Sequence, residues 1–256
     1  MDLDIARRAL RGIAGAICLV STMSLAISCA QEQSSDMVYD ALERSALAAP
    51  VSNENTAEGD STTTLADVLS INPEVAGWLT VENTSISYPV VLPEAETPRD
   101  WYLDHDVQGY WNPLGCPYID NRSGTDKHHL LVYGHHVHNS DAMFSSIAAA
   151  YQEDIFETIG SATWSTPDGE TETFYPCMAL NVESSYDTIQ RFSFADQVDL
   201  QIWIGSLSKD AQAKARMWAK QMTDATRVLT LVTCSSEQPG QTWRTLVVFT
   251  DVEGRD

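Results

Sequence analysis

The stretch that decides the fold is RVLTLVTC, residues 227–234, followed after a short loop by WRTLVVFT, residues 243–250. Both are apolar runs rich in β-branched residues, which is typical of buried strands. Residues 235–242 are rich in Ser, Gln, Pro and Gly and predict a turn-rich loop. Two strands joined in this way are expected to pair antiparallel, which brings Cys234 and Arg244 to the same end of a sheet.

A histidine follows another predicted strand. The run LLVY, residues 130–133, is followed by Gly134, His135 and His136. A thiol is a weak nucleophile at neutral pH, since its reference pKa leaves only about 3% of it as thiolate at pH 7. An imidazole can take the thiol proton and return it to a leaving amine, and a guanidinium can stabilise an oxyanion. These roles fit His135, Cys234 and Arg244, although a cysteine at a strand end is more often a buried structural thiol.

The rest of the chain from residue 78 onward predicts a mostly β domain. Short apolar runs broken by Pro, Gly, Asn and Asp occupy residues 78–81, 86–91, 116–119 and 174–182. Many short strands are typical of a β-barrel or a sandwich. Apolar residues at helical spacing predict helices over residues 141–152 and 208–222, and a capping box at Thr64 and Asp67 predicts a short helix before the first strand.

Charge and cysteine usage exclude two kinds of partner. With 36 acidic and 15 basic residues the formal net charge is -21, which would repel a polyphosphate, so nucleic acid is excluded as a partner. The five cysteines form no CxxC pair and no zinc spacing, so we expect no metal: Cys18, Cys29, Cys116, Cys177 and Cys234. Two interpretations of Cys116 and Cys177 stay open, a disulfide in an exported domain or two buried free thiols.

The first thirty residues bear on localisation. Arg7, Arg8 and Arg11 precede an uncharged segment, residues 12–30, that is just long enough to cross a bilayer. We therefore expect a single N-terminal anchor in the cell membrane and an extracellular catalytic domain. A cleaved signal peptide, a lipoprotein signal ending at Cys29 and a buried soluble helix are the alternatives. The predicted domains are residues 1–30, anchor or signal; 31–63, spacer; and 64–256, catalytic domain.

Several ordered motifs resemble class B sortases. TLVTC with Arg244 ten positions later resembles the sortase signature, and YGHH, residues 133–136, followed by MF, residues 143–144, resembles the histidine segment of class B. Upstream matches stand in the same order: NPEVAGWL, residues 72–79; ISYPVV, residues 86–91; YL, residues 102–103; and GCPYID, residues 115–120. The resemblance extends from Leu65 to Val252.

This resemblance implies an eight-stranded sortase-type β-barrel with N-terminal helices and an inserted helix, residues 208–222, before the cysteine strand. It also implies a cysteine transpeptidase of Gram-positive cells, without a cofactor, that cleaves a C-terminal sorting motif after Thr. Cys234 would carry the thioester, and a peptidoglycan precursor or another protein would supply the accepting amine. His135 matches the catalytic histidine, with Arg244 as electrostatic clamp and His136 secondary.

Two further residues are candidate substrate-binding positions. Thr233 and Ser236 flank the nucleophile and could bind substrate or support the oxyanion through backbone donors. Two other functions remain open. A hydrolytic cysteine peptidase would use the same first step with water in place of the amine, whereas a catalytically silent surface module would use none of these residues.

Overall fold

Nine strands form one sheet in the part of the chain that the structure describes. The structure is a computed structural model, and it describes residues 39, 71–98, 100–123, 128–137, 139–236, 240 and 242–254. The strands are β1 Val75–Val81, β2 Ser87–Val91, β3 Tyr118–Ile119, β4 His129–Tyr133, β5 Ala162–Ser165, β6 Thr171–Glu183, β7 Ala213–Lys214, β8 Val228–Cys234 and β9 Trp243–Thr250. The α-helices are α1 Glu153–Phe156, α2 Gln197–Leu207 and α3 Trp218–Asp224.

Eight of these strands close into a barrel, which confirms the predicted fold. Their order is β5-β1-β2-β3-β4-β8-β9-β6, and pairing between β5 and β6 joins the two ends. The two-residue strand β7 is a ninth strand, added to β6. β2 pairs with β3 and β4 with β8 in parallel, and the remaining pairs are antiparallel.

Alternation along the strands separates two hydrophobic clusters. Leu229 and Leu231 of β8 belong to the cluster inside the barrel. Val228 and Val232 belong to a second cluster on the outer face, together with Trp203 and other residues of α2. Because successive residues of a strand point to opposite faces, Cys234 lies on the outer face with Val232, whereas Thr233 lies on the inner face.

The inserted helix is present, but its position differs from the predicted residues 208–222. Helix α2 begins after Asp196, whose carboxylate accepts a hydrogen bond from the Asp199 N–H at 2.9 Å, and it ends at Leu207. Ala213 and Lys214 pair with β6 as β7, so the predicted helix is interrupted, and α3 follows at Trp218–Asp224. Pairing in the sheet therefore prevails over the helical spacing of the apolar residues.

The helix expected over residues 141–152 is also replaced. This segment contains only a 3-10 helix at Ser145–Ile147, and α1 follows at Glu153–Phe156. Met143 has a φ of 55°, a left-handed conformation that a continuous helix cannot include. The backbone N–H of Met143 donates instead to the hydroxyl of Tyr88 at 2.9 Å.

The predicted localisation, a cell-membrane protein with a single N-terminal anchor, is corrected. Among the described residues no helix is both long and apolar enough to span a bilayer. Residues 12–30, on which the anchor prediction depended, lie outside the described residues, as does the capping-box helix at Thr64. The anchor is therefore not carried into the function proposed below.

One residue of the predicted spacer belongs to the folded domain. Tyr39 is 3% exposed, and its hydroxyl donates to the carbonyl of Gly115 at 2.6 Å. Its ring meets the ring of Tyr88 edge to face, with 5.4 Å between the centroids. Tyr39 thus adds a buried aromatic side chain to the interior cluster of the barrel.

Candidate active site

Cys234 and Arg244 face each other across two neighbouring strands. They are Cα partners in the antiparallel register of β8 and β9. Directly opposed residues of an antiparallel pair project from the same face. Val232 and Leu246, the preceding pair on that face, belong to the outer cluster, so the thiol and the guanidinium share the outer face at the strand ends. Nη1 of Arg244 donates to the carbonyl of Trp243 at 3.0 Å.

His135 lies on the other side of Cys234. β4 runs parallel to β8, with Tyr133 paired to Val232, and the Gly134 N–H donates to the carbonyl of Val232 at 3.0 Å. His135 and Cys234 each lie two residues beyond this pair, so they are side by side where the two strands end. The three predicted catalytic residues therefore lie at one end of adjacent strands. Nε2 of His135 is 2.7 Å from the carbonyl oxygen of Leu103. A carbonyl only accepts, so Nε2 carries the hydrogen and Nδ1 is the nitrogen of a neutral ring that can take a proton.

His136 contacts the backbone of Cys234. Its Nδ1 is 3.0 Å from the carbonyl oxygen of Cys234. The ring nitrogen is the donor, because the carbonyl can only accept. Residues 135 and 136 are fixed in turn by the segment that follows, since the Phe144 N–H donates to the carbonyl of His135 at 2.9 Å and His136 forms a bridge with Met143.

A set of hydroxyl groups fixes the residue after the nucleophile. Ser235 donates through its hydroxyl to Oδ1 of Asn181 at 2.8 Å, and its backbone N–H donates to the carbonyl of Trp243 at 3.2 Å. The Thr245 hydroxyl lies 3.1 Å from the Ser235 hydroxyl and donates to the carbonyl of Ala148 at 2.5 Å. The chain leaving β8 is therefore held by side chains of β6 and β9.

Thr233 and Ser236, the candidate substrate-binding residues, lie in different surroundings. Thr233 is 2% exposed and opposes Thr245 on the inner face, and its hydroxyl has no hydrogen-bond partner among the described atoms. Its side chain therefore faces away from Cys234. Ser236 is partly exposed, two residues beyond the nucleophile. A role of either residue in substrate binding stays a prediction.

The other described cysteines are poor nucleophiles. Cys116 and Cys177 are free and buried, whereas Cys234 is partly exposed. Burial raises the pKa of Cys177 to about 12 and raises that of Cys116 still further above the usual range of a thiol. Within the described residues, no three His, Cys, Asp or Glu side chains are grouped to hold a metal ion. Chemistry at a thiol therefore points to Cys234.

A cavity of ≈ 270 Å³ opens on the sheet beside the site. Tyr133, two residues before His135, lines it together with Tyr118, and the two rings stack with centroids 5.3 Å apart. Asp120 and Arg122 line it too, and they form an ion pair with 2.6 Å between Nη2 and Oδ2. The cavity thus has an aromatic wall and a charged pair, and one of its lining residues, Tyr133, is two residues before His135 in the chain.

Comparison with known proteins gives the class. No family model matches the chain. Sortase B of Listeria monocytogenes is 21% identical over 190 residues, 72% of each chain, and Sortase B of Staphylococcus aureus is 25% identical over 185 residues, 70% of each chain. The solved Staphylococcus aureus sortase B-substrate complex superposes with a TM-score of 0.69 at 19% identity, covering 86% of this chain and 97% of that one.

The barrel has the sortase fold, and these relatives together with the strand-end cysteine and its facing arginine support a sortase-type cysteine transpeptidase. Both sequence relatives are of one class. Their class agrees with the class B resemblance that the motifs from residue 65 to residue 252 predicted.

Sequence reasoning missed several contacts around the nucleophile. His136 was treated as secondary, although its ring reaches the Cys234 carbonyl. Asn181 gives no signal in the sequence, and Leu103 stands in a matching motif that assigns it no role, because the two approach the site from 53 and 131 residues before Cys234 and contact it only through the fold. Ser235 is adjacent to the nucleophile in sequence, which was the one available sign.

Proposed function

We propose that Cys234 is the nucleophile of a two-step acyl transfer, with His135 as acid/base and Arg244 as electrostatic clamp. The Cys234 sulfur attacks the carbonyl of a Thr residue in a C-terminal sorting motif while His135 takes the thiol proton. The C–N bond then breaks, His135 protonates the leaving amine, and a thioester remains. An incoming primary amine attacks the thioester, and its proton passes through His135 back to the sulfur.

The register of the strands is the observation that supports these roles. Arg244 is the Cα partner of Cys234, and the parallel register of β4 and β8 brings His135 level with Cys234 on the other side. Arginine suits the clamp because its planar, permanently charged fork can donate two hydrogen bonds to the developing oxyanion. The tautomer of His135 that Leu103 favours leaves Nδ1 able to accept a proton.

We further propose where the two substrates approach. The cavity lined by Tyr133 is the candidate site for the sorting motif, because Tyr133 is two residues before His135 in the chain and the cavity has an aromatic wall. The acceptor is a primary amine of a peptidoglycan precursor or of another protein. The formal net charge of -21 favours approach of a positively charged amine-bearing molecule over a polyanion. The catalytic domain is proposed to span residues 64–256.

A peptide-library cleavage assay read by mass spectrometry tests this proposal. Wild-type protein should release the segment after Thr and gain the mass of the acyl group on Cys234. Adding a primary amine should divert product from the free acid to the amide. Cys234→Ala should form no thioester, whereas Cys177→Ala, which alters a buried thiol, should retain it.

Two results would contradict the proposal. Equal cleavage by wild type and Cys234→Ala would exclude the nucleophile. Product that stays a free acid at every amine concentration would replace transpeptidation by hydrolysis, since water would then be the acceptor.

A further inference from the structure

The second histidine of the pair joins two strands where their main-chain pairing has ended. The β4–β8 ladder stops at Tyr133 and Val232, and the last backbone bond joins the Gly134 N–H to the Val232 carbonyl. Cys234 lies two residues beyond that point. Beyond that point the two segments are joined by a side-chain hydrogen bond, from Nδ1 of His136 to the Cys234 carbonyl at 3.0 Å.

The main chain of residues 135 and 136, which follows β4, is itself held in place by neighbouring residues. The Phe144 N–H donates to the His135 carbonyl at 2.9 Å, and His136 bridges to Met143. Phe144 and Met143 are both fully buried. Because the main chain that carries the His136 ring is fixed in this way, the ring can hold the Cys234 carbonyl at a constant distance from the segment that carries His135.

We propose that His136 is a positioning residue that keeps the thiol of Cys234 in register with the imidazole of His135. The inference rests on the function proposed above for Cys234 and His135. The group required is an N–H donor at the place of Nδ1, and a titrating ring is not required. Both the neutral Nδ1–H tautomer and the imidazolium carry that hydrogen, so protonation of His136 leaves the bond intact.

Three substitutions separate the donor from the ring. His136→Asn retains a donor, because Nδ2 of Asn is as many bonds from Cβ as Nδ1 of His. His136→Gln moves the donor one bond further out, and His136→Ala removes it. The matched control is His128→Ala. Nδ1 of His128 makes a similar hydrogen bond to the Thr226 carbonyl at 2.9 Å, at the opposite end of the same two strands, β4 and β8.

The first measurement needs no substrate. We expect the rate at which iodoacetamide alkylates Cys234 at pH 7 to fall about tenfold in His136→Ala and His136→Gln, the factor that corresponds to one ordinary hydrogen bond. His136→Asn and His128→Ala should stay within about threefold of wild type, given the spread of such contacts. The same assay in strong alkali is a control, because a thiol that hydroxide deprotonates needs no imidazole, and all rates should converge there. Thermal unfolding of each variant checks that it is folded.

The second measurement is thioester formation from a sorting-motif peptide in a single turnover. The rate constant should fall about tenfold in His136→Ala while the peptide concentration at half-saturation stays unchanged. His136→Asn as slow as His136→Ala would overturn the inference, because it would show that an imidazole is needed. Wild-type alkylation in His136→Ala would overturn it as well. If alkylation follows the expected pattern but no peptide forms a thioester, the proposed function fails while the positioning role stands.

Discussion

His129 makes the stability of this domain depend on pH in a calculable way. His129 is the first residue of β4, and its ring is fully buried against α2. The centroids of the His129 and Trp203 rings are 4.6 Å apart. Nδ1 donates a hydrogen bond to the Arg191 carbonyl at 2.9 Å. Nε2, which carries no hydrogen in this neutral ring, accepts a hydrogen bond from the Thr230 hydroxyl at 2.9 Å. Burial lowers the pKa of His129 from 6.5 to about 4.

The sign and size of the effect follow from this pKa. The unfolded chain binds a proton at His129 below about pH 6.5 and the folded chain only below about pH 4, so folding loses stability as the pH falls between these values. Each pKa unit corresponds to about 1.4 kcal/mol, so the full loss is about 3 kcal/mol, of which about 2 kcal/mol appears between pH 7.5 and pH 5. Glu74 and Asp199, whose pKa values are lowered from 4.5 and 3.8, add to the loss of stability mainly below about pH 5.

Urea denaturation at pH 7.5, 6, 5.5 and 5 measures the effect. The free energy of unfolding should fall by about 2 kcal/mol in wild type relative to His129→Gln, which cannot titrate there. The difference between the two proteins cancels the relief of charge repulsion that protonation of carboxylates brings to both. His128→Gln, an exposed neighbour, should keep the wild-type slope. Equal slopes for wild type and His129→Gln would refute the reasoning.

Three further predictions concern the clamp, the N-terminal contact and the helix α3. Arg244→Lys should lower kcat/KM for thioester formation by on the order of 10²-fold, whereas Arg227→Lys, before the other end of β8, should not; wild-type rates in Arg244→Lys would exclude the clamp. Tyr39→Ala should lower the free energy of unfolding by about 3 kcal/mol, measured in urea, because a buried aromatic side chain is lost; unchanged stability would mean that the spacer contributes nothing. Gln221→Leu should cost about 2–4 kcal/mol in the same assay, because its amide donates to two main-chain carbonyls that would then lack a donor, and a neutral result would exclude that role.

The local sequence pattern is sufficient to predict strands β8 and β9 and the proximity of Cys234 and Arg244, but not the position of His135. The apolar runs at β8 and β9 and the short loop between them predicted the antiparallel pair, and with it the meeting of Cys234 and Arg244. That His135 lies level with Cys234 depends on the parallel pairing of β4 with β8, segments almost a hundred residues apart. Periodicity carries no information about such pairing, and only the ordered motifs indicated it.

The errors have physical causes in particular residues. The spacing of Ala211, Ala215, Trp218 and Met222 fits a helix, but Ala213 pairs with Ala179 of β6, and the sheet pairing prevails. Tyr39 shows a different limit of the sequence pattern: it lies in a stretch with few large apolar residues, which predicts a spacer, yet its ring and one hydrogen bond attach this residue to the barrel.

The position of the site on the outer face makes its chemistry depend on strand register. A shift of β8 by one residue would exchange Cys234 and Thr233 between the two faces and place the thiol inside the barrel. The Ser235 bond to Asn181 of β6 opposes such a shift of β8 directly. The Thr245 bond to Ala148 fixes the neighbouring strand β9, against which β8 is registered. These polar contacts therefore fix the face of the sheet that Cys234 occupies, which is the outer face that it shares with Val232.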